Sequence, residues 1–555
     1  MKFTPLGDAA LIVNLSEEVS ERDLKDVTAL ALVVREAGLG GVIDVVPAYT
    51  SVAIFYDPAQ VSGSEGGPYS RLIDAIAAHA SPRQKAARLE STDESRSIEI
   101  TVFYGGDDGP DLAAVATHTG LSQAQVIRLH SEADYLVQAI GFAPGFPYLS
   151  GLPVELATPR RVTPRLKVPA GSVGIGGAQT GIYPVESPGG WHLIGRTDAH
   201  LFDMQRAELS LLRVGDTVKF KPQYENRPLK PPAKVSLADH QPAAQTVKSG
   251  LRVLSPGLFT TVQDLGRFGF RHAGVPASGA LDPSALRVAN VLVGNEETLA
   301  GLEMTLIGPE IEFQTDGLIA LGGAEFEGCE NYRPVMVRAG QRIKFGAAVR
   351  GCRGYLAVAG GITVTEVLGS RSTYVRGGLG GLEGRTLRIG DFIPLGSVVR
   401  GVVGRWHIDP KLLPAYETTP TVRVVLGSQG KEFGETWRAA AFKVTPQVDR
   451  MGMRLSGEAL MRASGGELLS SPVAPGTIQV PPDGQPIVLM ADAQTIGGYP
   501  QIAHVIDVDV PLLAQSKPGD TLRLAEVTLA QAHELWLARE INFAMLREGL
   551  AHKFC

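Results

Sequence analysis

The chain has 555 residues, too many for one hydrophobic core, and its 44% apolar and 20% charged residues are those of a globular protein divided into several domains. A net charge of −6 without any basic cluster excludes a nucleic-acid protein held by counterion release, and no membrane partner is expected because no apolar run reaches spanning length. Three cysteines, Cys329, Cys352 and Cys555, are too few for a disulfide framework and lack metal-ligand spacing; with no leader-like N-terminus, a reducing cytoplasm is the expected location.

Residues 1–92 read as a small α+β domain. Ala10 to Val13 is a strand, and Ser20 caps a helix to Arg35 with Leu24, Val27, Ala31 and Val34 on one face. Val42 to Phe55 holds two β-rich runs separated at Pro47, and a second helix covers Leu72 to Ala78. The charged stretch 83–97 reads as a linker. A second domain spans 93–225: Ile98 to Tyr104 alternates as a strand, Leu112–Thr117 and Ser122–Leu129 are short helices, and Ser122 and Gln125 form a capping box. From Tyr135 to Phe220, short strands between Gly and Pro turns predict a β-barrel or sandwich.

Residues 226–250, rich in Pro and Ala, form an extended linker. Two β-rich parts follow, 251–400 and 401–555. Within them Asp282 to Val293 is a helix with Pro283 in its first turn, and Arg338–Phe345 and Gly354–Val358 are strands. A long helix runs from Thr528 to Glu548, with a Thr528–Gln531 capping box and Gly549 as its stop. The fold class is therefore mainly β with α+β: a small α+β N-terminal domain, barrel-like β modules and a C-terminal helix.

Candidate chemistry gathers in the Gly- and Pro-rich turns. Gly171 to Gly177 is either an anion-cradling nest or a set of tight β-turns; no Lys-Ser or Lys-Thr follows, so it is not a P-loop. Tyr374 to Arg385 presents the same choice with two arginines added. His130, Tyr135, Arg165, Lys167, His192 and Arg196 surround the first Gly-rich stretch; His and Tyr can move protons, and Arg and Lys can hold a carboxylate or phosphoryl group. Gln263, Asp264 and Arg267 share one turn, and Asp449, Arg450 and Asp492 lie beside others. Taken singly, each is more often a turn or surface residue than a ligand. No Gly-x-Ser-x-Gly elbow, His-Glu-x-x-His or Cys-His zinc pattern occurs, which disfavours serine and metal hydrolases, and no Met-Lys-Met biotin attachment site is present.

Longer motifs carry a family resemblance. His130-x4-Tyr135, Gly141-Phe-Ala-Pro-Gly-Phe-Pro-Tyr-Leu149, Val168-Pro-Ala-Gly-Ser172, Gln179-Thr-Gly-Ile-Tyr-Pro184 and Ser187-Pro-Gly-Gly-Trp191 make residues 1 to about 225 similar to the allophanate hydrolase subunit 1 family, also called the 5-oxoprolinase B component or KipI-like. Thr261-Val-Gln-Asp-Leu-Gly-Arg267, Gly369-Ser-Arg-Ser-Thr-Tyr374, Asp449-Arg-Met-Gly452, Gly476-Thr-Ile-Gln479 and Asp492-Ala-Gln-Thr495 make residues 251 to about 530 resemble the allophanate hydrolase subunit 2 family, also the 5-oxoprolinase C component or KipA-like. One departure is Ile496, where the family pattern has a second Thr.

The resemblance implies cyclophilin-like barrels and a function: ATP-dependent opening of 5-oxoproline to glutamate, with Mg accompanying ATP and a separate 5-oxoprolinase A component as partner. It places proton handling on His130, Asp264 or Asp492. It places substrate or nucleotide contacts on Tyr135, Phe146, Tyr148, Arg165, Lys167, Gln179, Arg196, Gln263, Arg267, Arg371, Gln479 and Tyr499, with no metal ligand. Two alternatives stay open: the carboxyltransferase of a urea carboxylase-like system with biotin on another chain, and a KipI/KipA-like regulator of a sensor histidine kinase. Assembly into a homo-oligomer is also open.

Overall fold

The computed structural model describes residues 1–16, 20–63, 65–80, 96–161, 163, 165–223, 249–397, 406–409, 414–464, 466 and 468–551. The linkers expected at 83–97 and 226–250 fall almost entirely outside these residues, as do the domain boundaries at 92, 225 and 400.

Lys2–Pro5, Ala10–Asn14, Ser51–Tyr56 and Val42–Ala48 form an antiparallel sheet, in that order across it. Helices Glu21–Ala37 and Pro68–His79 cover one face, burying Leu11, Leu30, Val34, Ile54 and Ile76. The first helix starts where Ser20 Oγ accepts the Asp23 N–H at 3.1 Å and ends on Gly38 at φ 55°. The expected break at Pro47 is absent. Pro47 pairs with Val52 inside the strand, and the hairpin turns two residues later at Tyr49, φ 52°. A proline here removes one ladder donor without stopping the strand.

Seven strands then close a first barrel: Asp134–Ile140, Thr217–Gln223, Ser97–Tyr104, His192–Arg196, Ser172–Gly176, Gln179–Ile182 and Pro147–Ser150, which pairs back to the first. Helices Leu112–Thr119 and Gln123–Glu132 pack on it, the second with the expected capping box. The Ala48–Ala139 pair joins barrel and N-terminal sheet. The glycines at 174 and 176 lie in the strand Ser172–Gly176 rather than in an anion nest. A Cβ on Gly176 would stand 2.5 Å from Trp191 Cδ1, so the glycine makes room for the indole.

After residue 248, a four-stranded sheet that includes Gly250–Ser255 packs on a five-stranded sheet that includes Phe259–Gln263 and Ala348–Val358. The segment expected as one strand, Arg338–Phe345, is instead a crossing point. Pro334–Val337 belongs to the five-stranded sheet and Arg342–Lys344 to the four-stranded one, with Gly340 at φ 79° turning the chain between them. Asp282 caps the helix Pro283–Leu292 by accepting the Ala285 N–H at 2.9 Å. A second closed barrel of seven strands, from Thr421–Leu426 to Thr521–Glu526, surrounds Trp437, Phe442, Ile478, Val488 and Leu522. The terminal helix, Leu529–Ala551, starts at the Thr528–Gln531 box but runs through Gly549. Leu550 is buried beside Leu546, Trp406 and Tyr332, and that packing carries the helix past the residue expected to end it.

Candidate functional site

The two halves are welded through their signature turns. In the loop after strand Asp134–Ile140, Phe142 adopts φ 67° and the Gly145 N–H donates to the Ala273 carbonyl of the second half at 2.8 Å. Phe146, Tyr148, Tyr183 and Trp191 meet edge to face, with centroids 5.0 to 6.4 Å apart. Ile496, in the short strand Ile496–Gly497 that pairs with Ser471–Pro472 in the second half, inserts among them at 0% exposure. A Cβ on Gly141 would fall 2.6 Å from Ile496 Cγ1, so glycine is required opposite this plug. Phe146 and Tyr148, expected to touch substrate, are therefore packed into the seam. Gln179 Nε2 donates to the Tyr49 hydroxyl at 2.6 Å, Gln479 Nε2 reaches the Tyr499 carbonyl at 3.4 Å, and the Tyr499 ring is exposed at the edge.

The first barrel does not bring its other expected residues together. His130 is fully buried, stacked on Phe220 at 4.7 Å, with Tyr104 Oη 2.7 Å from Nδ1 and Thr180 Oγ1 3.0 Å from Nε2. Burial pushes its pKa down to about 3, so the ring is neutral. The side chain is packed in the core, and Tyr135 is its neighbour, donating to the His130 carbonyl at 2.8 Å. Arg165 and Arg161 both hold Asp111, at 2.8 and 3.2 Å. Burial opposes ionisation of Asp111, but the Arg165 hydrogen bond and the Leu193 N–H outweigh it and hold the carboxyl below its ordinary range. Lys167 lies exposed beside Glu186, and Arg196 Nε donates to the Ala170 carbonyl.

The second half builds an acid and arginine lattice. Asp264 accepts from Gly266 N at 2.9 Å, Ser370 Oγ at 2.7 Å, Arg371 N at 2.6 Å and Ser372 Oγ. Arg267, fully buried, donates to the Val367 and Ser372 carbonyls, each at 2.8 Å. Gln263 reaches Thr261 and the Thr373 carbonyl, while Arg371 spans Val364 and Glu366. Together these bonds pin the glycine-rich loop after Gly369 to strand Phe259–Gln263. A Cβ on Gly380 would sit 2.1 Å from the Ser372 carbonyl oxygen, so these glycines serve close chain approach rather than an anion cradle. Asp492 receives Arg450 through two nitrogens at 3.0 and 3.1 Å, and Arg450 also reaches Glu303 at 2.5 Å and the Gly279 carbonyl at 2.6 Å. Burial lifts the Asp492 carboxyl more than Arg450 lowers it.

A cavity of about 660 Å³ opens where the N-terminal sheet, the second half and the C-terminal helix meet. Asp8, Phe55, Phe268, Arg271, Asp507 and Trp536 line it. Asp44 fixes the Arg271 turn by accepting the Gly269 and Arg271 N–H groups at 2.9 and 3.2 Å, and Arg271 lies over the Phe55 ring at 4.5 Å. Asp8 accepts the Asp507 N–H; burial first, then the Asp507 charge, raise its carboxyl to about 7. Asp507 pairs with Arg539 at 2.7 Å, and His533 Nε2 donates to the Asp8 carbonyl at 2.9 Å. None of Asp8, Asp44, Arg271 and Trp536 stands out in the sequence. Arg271 lies four residues past Arg267 in one signature stretch, the single local hint. Among the described residues no group of three or more His, Cys, Asp and Glu is placed to hold a metal ion.

Two family descriptions match the chain: carboxyltransferase domain, subdomain C and D, over residues 1–212, and carboxyltransferase domain, subdomain A and B, over residues 273–526. The 5-oxoprolinase C subunit of Escherichia coli K12 is 43% identical over 297 residues, covering 51% of this chain and 93% of that relative. The 5-oxoprolinase B subunit of Escherichia coli O157:H7 is 46% identical over 220 residues, covering 40% of this chain and 95% of that relative. A urea amidolyase of Lachancea kluyveri is 33% identical over 56% of this chain, which spans 18% of that relative. The crystal structure of TTHA0988 superposes with a TM-score of 0.80 at 35% identity, over 93% of this chain and 99% of that one. The chain belongs to the families of the B and C components of 5-oxoprolinase, joined in a single polypeptide.

Proposed function

We propose that the chain is the combined B and C component of an ATP-dependent 5-oxoprolinase, opening 5-oxoproline to glutamate together with a separate A component. The observation that carries this reading is the composite cavity: residues of both halves line it, so the two parts act as one body. A lactam is a stable amide that water attacks poorly. Transfer of the ATP γ-phosphoryl group to the lactam oxygen releases ADP and leaves a carbon open to water. Water adds to that carbon, the C–N bond breaks with the ring nitrogen leaving as the protonated amine, and a second water displaces phosphate from the resulting acyl phosphate to give glutamate. ATP with Mg is implied by the resemblance. Asp492 remains the candidate for proton handling, because burial holds its carboxyl above the ordinary range beside Arg450. His130 is withdrawn from that role by its enclosure.

Carboxyl transfer is the second reading, favoured by the carboxyltransferase family descriptions and by the urea amidolyase relative. Biotin would then arrive on another chain. The deciding experiment measures glutamate release from 5-oxoproline with ATP, using this chain with and without the A component. Release only in the mixture supports the oxoprolinase reading. No release from a folded mixture with ATP still intact overturns it, and turnover of carboxyl-biotin becomes the next assay.

A further inference from the structure

Arg271 is a buried cation with no direct partner for its guanidinium among the described residues; Asp44 acts on it only through its charge. It is 6% exposed, yet its guanidinium donates no hydrogen bond to any described residue and forms no ion pair among them. The nearby Asp44 carboxylate is occupied by backbone N–H groups instead. Burying a guanidinium without hydrogen-bond partners is costly: burial lowers the Arg271 pKa from its ordinary value, and the Asp44 charge offsets only part of that. The Phe55 ring supports the guanidinium, its centroid 4.5 Å from the central carbon, and leaves the N–H fork free for a planar, two-oxygen acceptor. Arg271 lies in the wall of the 660 Å³ cavity, a volume suited to a small ligand. Trp536, elsewhere in the same wall, likewise has its indole N–H buried with no acceptor.

The rest of the lining sets the ligand's charge. Carboxylates outnumber guanidiniums seven to four around the cavity, and Arg287 and Arg539 are already paired with Glu540 and Asp507. A polyphosphate would meet net repulsion there, whereas one carboxylate on a molecule that also carries N–H donors would satisfy Arg271 and offer its donors to the Asp8 side. We propose that this junction cavity binds a small carboxylate that also carries an N–H donor, with Arg271 as the carboxylate anchor. The proposal deepens the oxoprolinase reading and rests on it for the identity of the ligand, since 5-oxoproline carries one carboxylate and one lactam N–H.

The test is equilibrium binding to the full chain by calorimetry, with 5-oxoproline, L-glutamate, 2-pyrrolidinone and ADP as probes. 2-Pyrrolidinone is the same lactam without the carboxylate. The expected result is binding of 5-oxoproline or glutamate, no binding of 2-pyrrolidinone, and affinity roughly tenfold to hundredfold weaker in Arg271→Met, the effect of losing a charge-assisted fork. Arg271→Lys, which keeps the charge but not the fork, should fall between. If Arg271→Met fails to fold, the lysine variant and the wild-type contrast between 5-oxoproline and 2-pyrrolidinone still decide. Equal binding by wild type and a folded Arg271→Met, tighter Arg271-dependent binding of ADP, or no binding of either carboxylate overturns the proposal. Arg271-dependent binding of glutamate or 5-oxoproline without glutamate release in the presence of the A component would keep the site and sink the oxoprolinase reading.

Discussion

Asp8→Asn should stabilise this protein near neutral pH, although it removes a buried polar interaction. Asp8 is 3% exposed and faces the Asp507 carboxylate, the Arg539 guanidinium, His533 and the Tyr56 hydroxyl. Its carboxyl rises from 3.8 to about 7, burial being the largest cause and the Asp507 charge the next. The unfolded chain ionises at the lower value, so the folded state binds the proton more tightly. Stability contributed by this site is therefore greatest below the unfolded value and declines as pH climbs toward 7, after which it is level. A rise of about three units at roughly 1.4 kcal/mol each sets an upper limit near 4 kcal/mol, and relaxation around the pair brings the expected gain of the asparagine variant to about 2–4 kcal/mol at pH 8. Asparagine keeps an oxygen for the Asp507 N–H and cannot ionise. Thermal melts of both proteins from pH 4.5 to 8.5 check this: the variant should melt higher at pH 8, with the gap closing toward pH 4.5. A gap independent of pH, or a wild type more stable at pH 8, would refute the account of Asp8.

Three further outcomes follow from the packing. Ile496→Ala should cost about 2–4 kcal/mol, seen in denaturant unfolding, because the methyls it removes are enclosed by Phe146, Tyr148 and Trp191. Gly141→Ala should cost about 1–3 kcal/mol through overpacking, and the double variant with Ile496→Ala should lose less than the two single costs together, since the alanine Cβ would fill space the isoleucine vacates. Arg450→Met leaves Glu303 and Asp492 buried without their cation and should destabilise by about 3–5 kcal/mol, with the loss smaller at low pH where the acids protonate.

The pattern of elements was legible where local chemistry decides it. Ser20, Ser122 and Thr528 all cap the helices they were expected to cap, since a cap is written within four residues. The short strands between glycine turns were visible, read as a barrel or sandwich in the first half and only as β-rich parts in the second, and it was the resemblance that named the barrels. Errors came where distant packing overrules local preference: Pro47 stays in its strand because Val52 pairs with it, and Gly549 stays helical because Leu550 is buried. The site was less legible. The signature motifs pointed to residues that hold turns, such as Asp264 and Arg267, because glycine-rich loops and their pinning groups leave a strong local pattern. Arg271 and Asp8 matter through partners hundreds of positions away, and such pairings leave no trace in residue spacing.

One bond has a consequence for the order of assembly. His533 of the C-terminal helix donates to the carbonyl of Asp8, 525 positions earlier in the chain. Closing so long a span adds little entropy beyond a shorter one, because that cost grows only with the logarithm of length. It does, however, fix a sequence of events during synthesis. Trp536 and Arg539 complete the junction cavity, so its wall cannot exist until the final helix has left the ribosome and docked on the first strands. A chain truncated before residue 528 would fold both barrels around their own cores and still present this cavity as an open trough. The closed wall of the junction thus reports whether this helix has seated on the first strands.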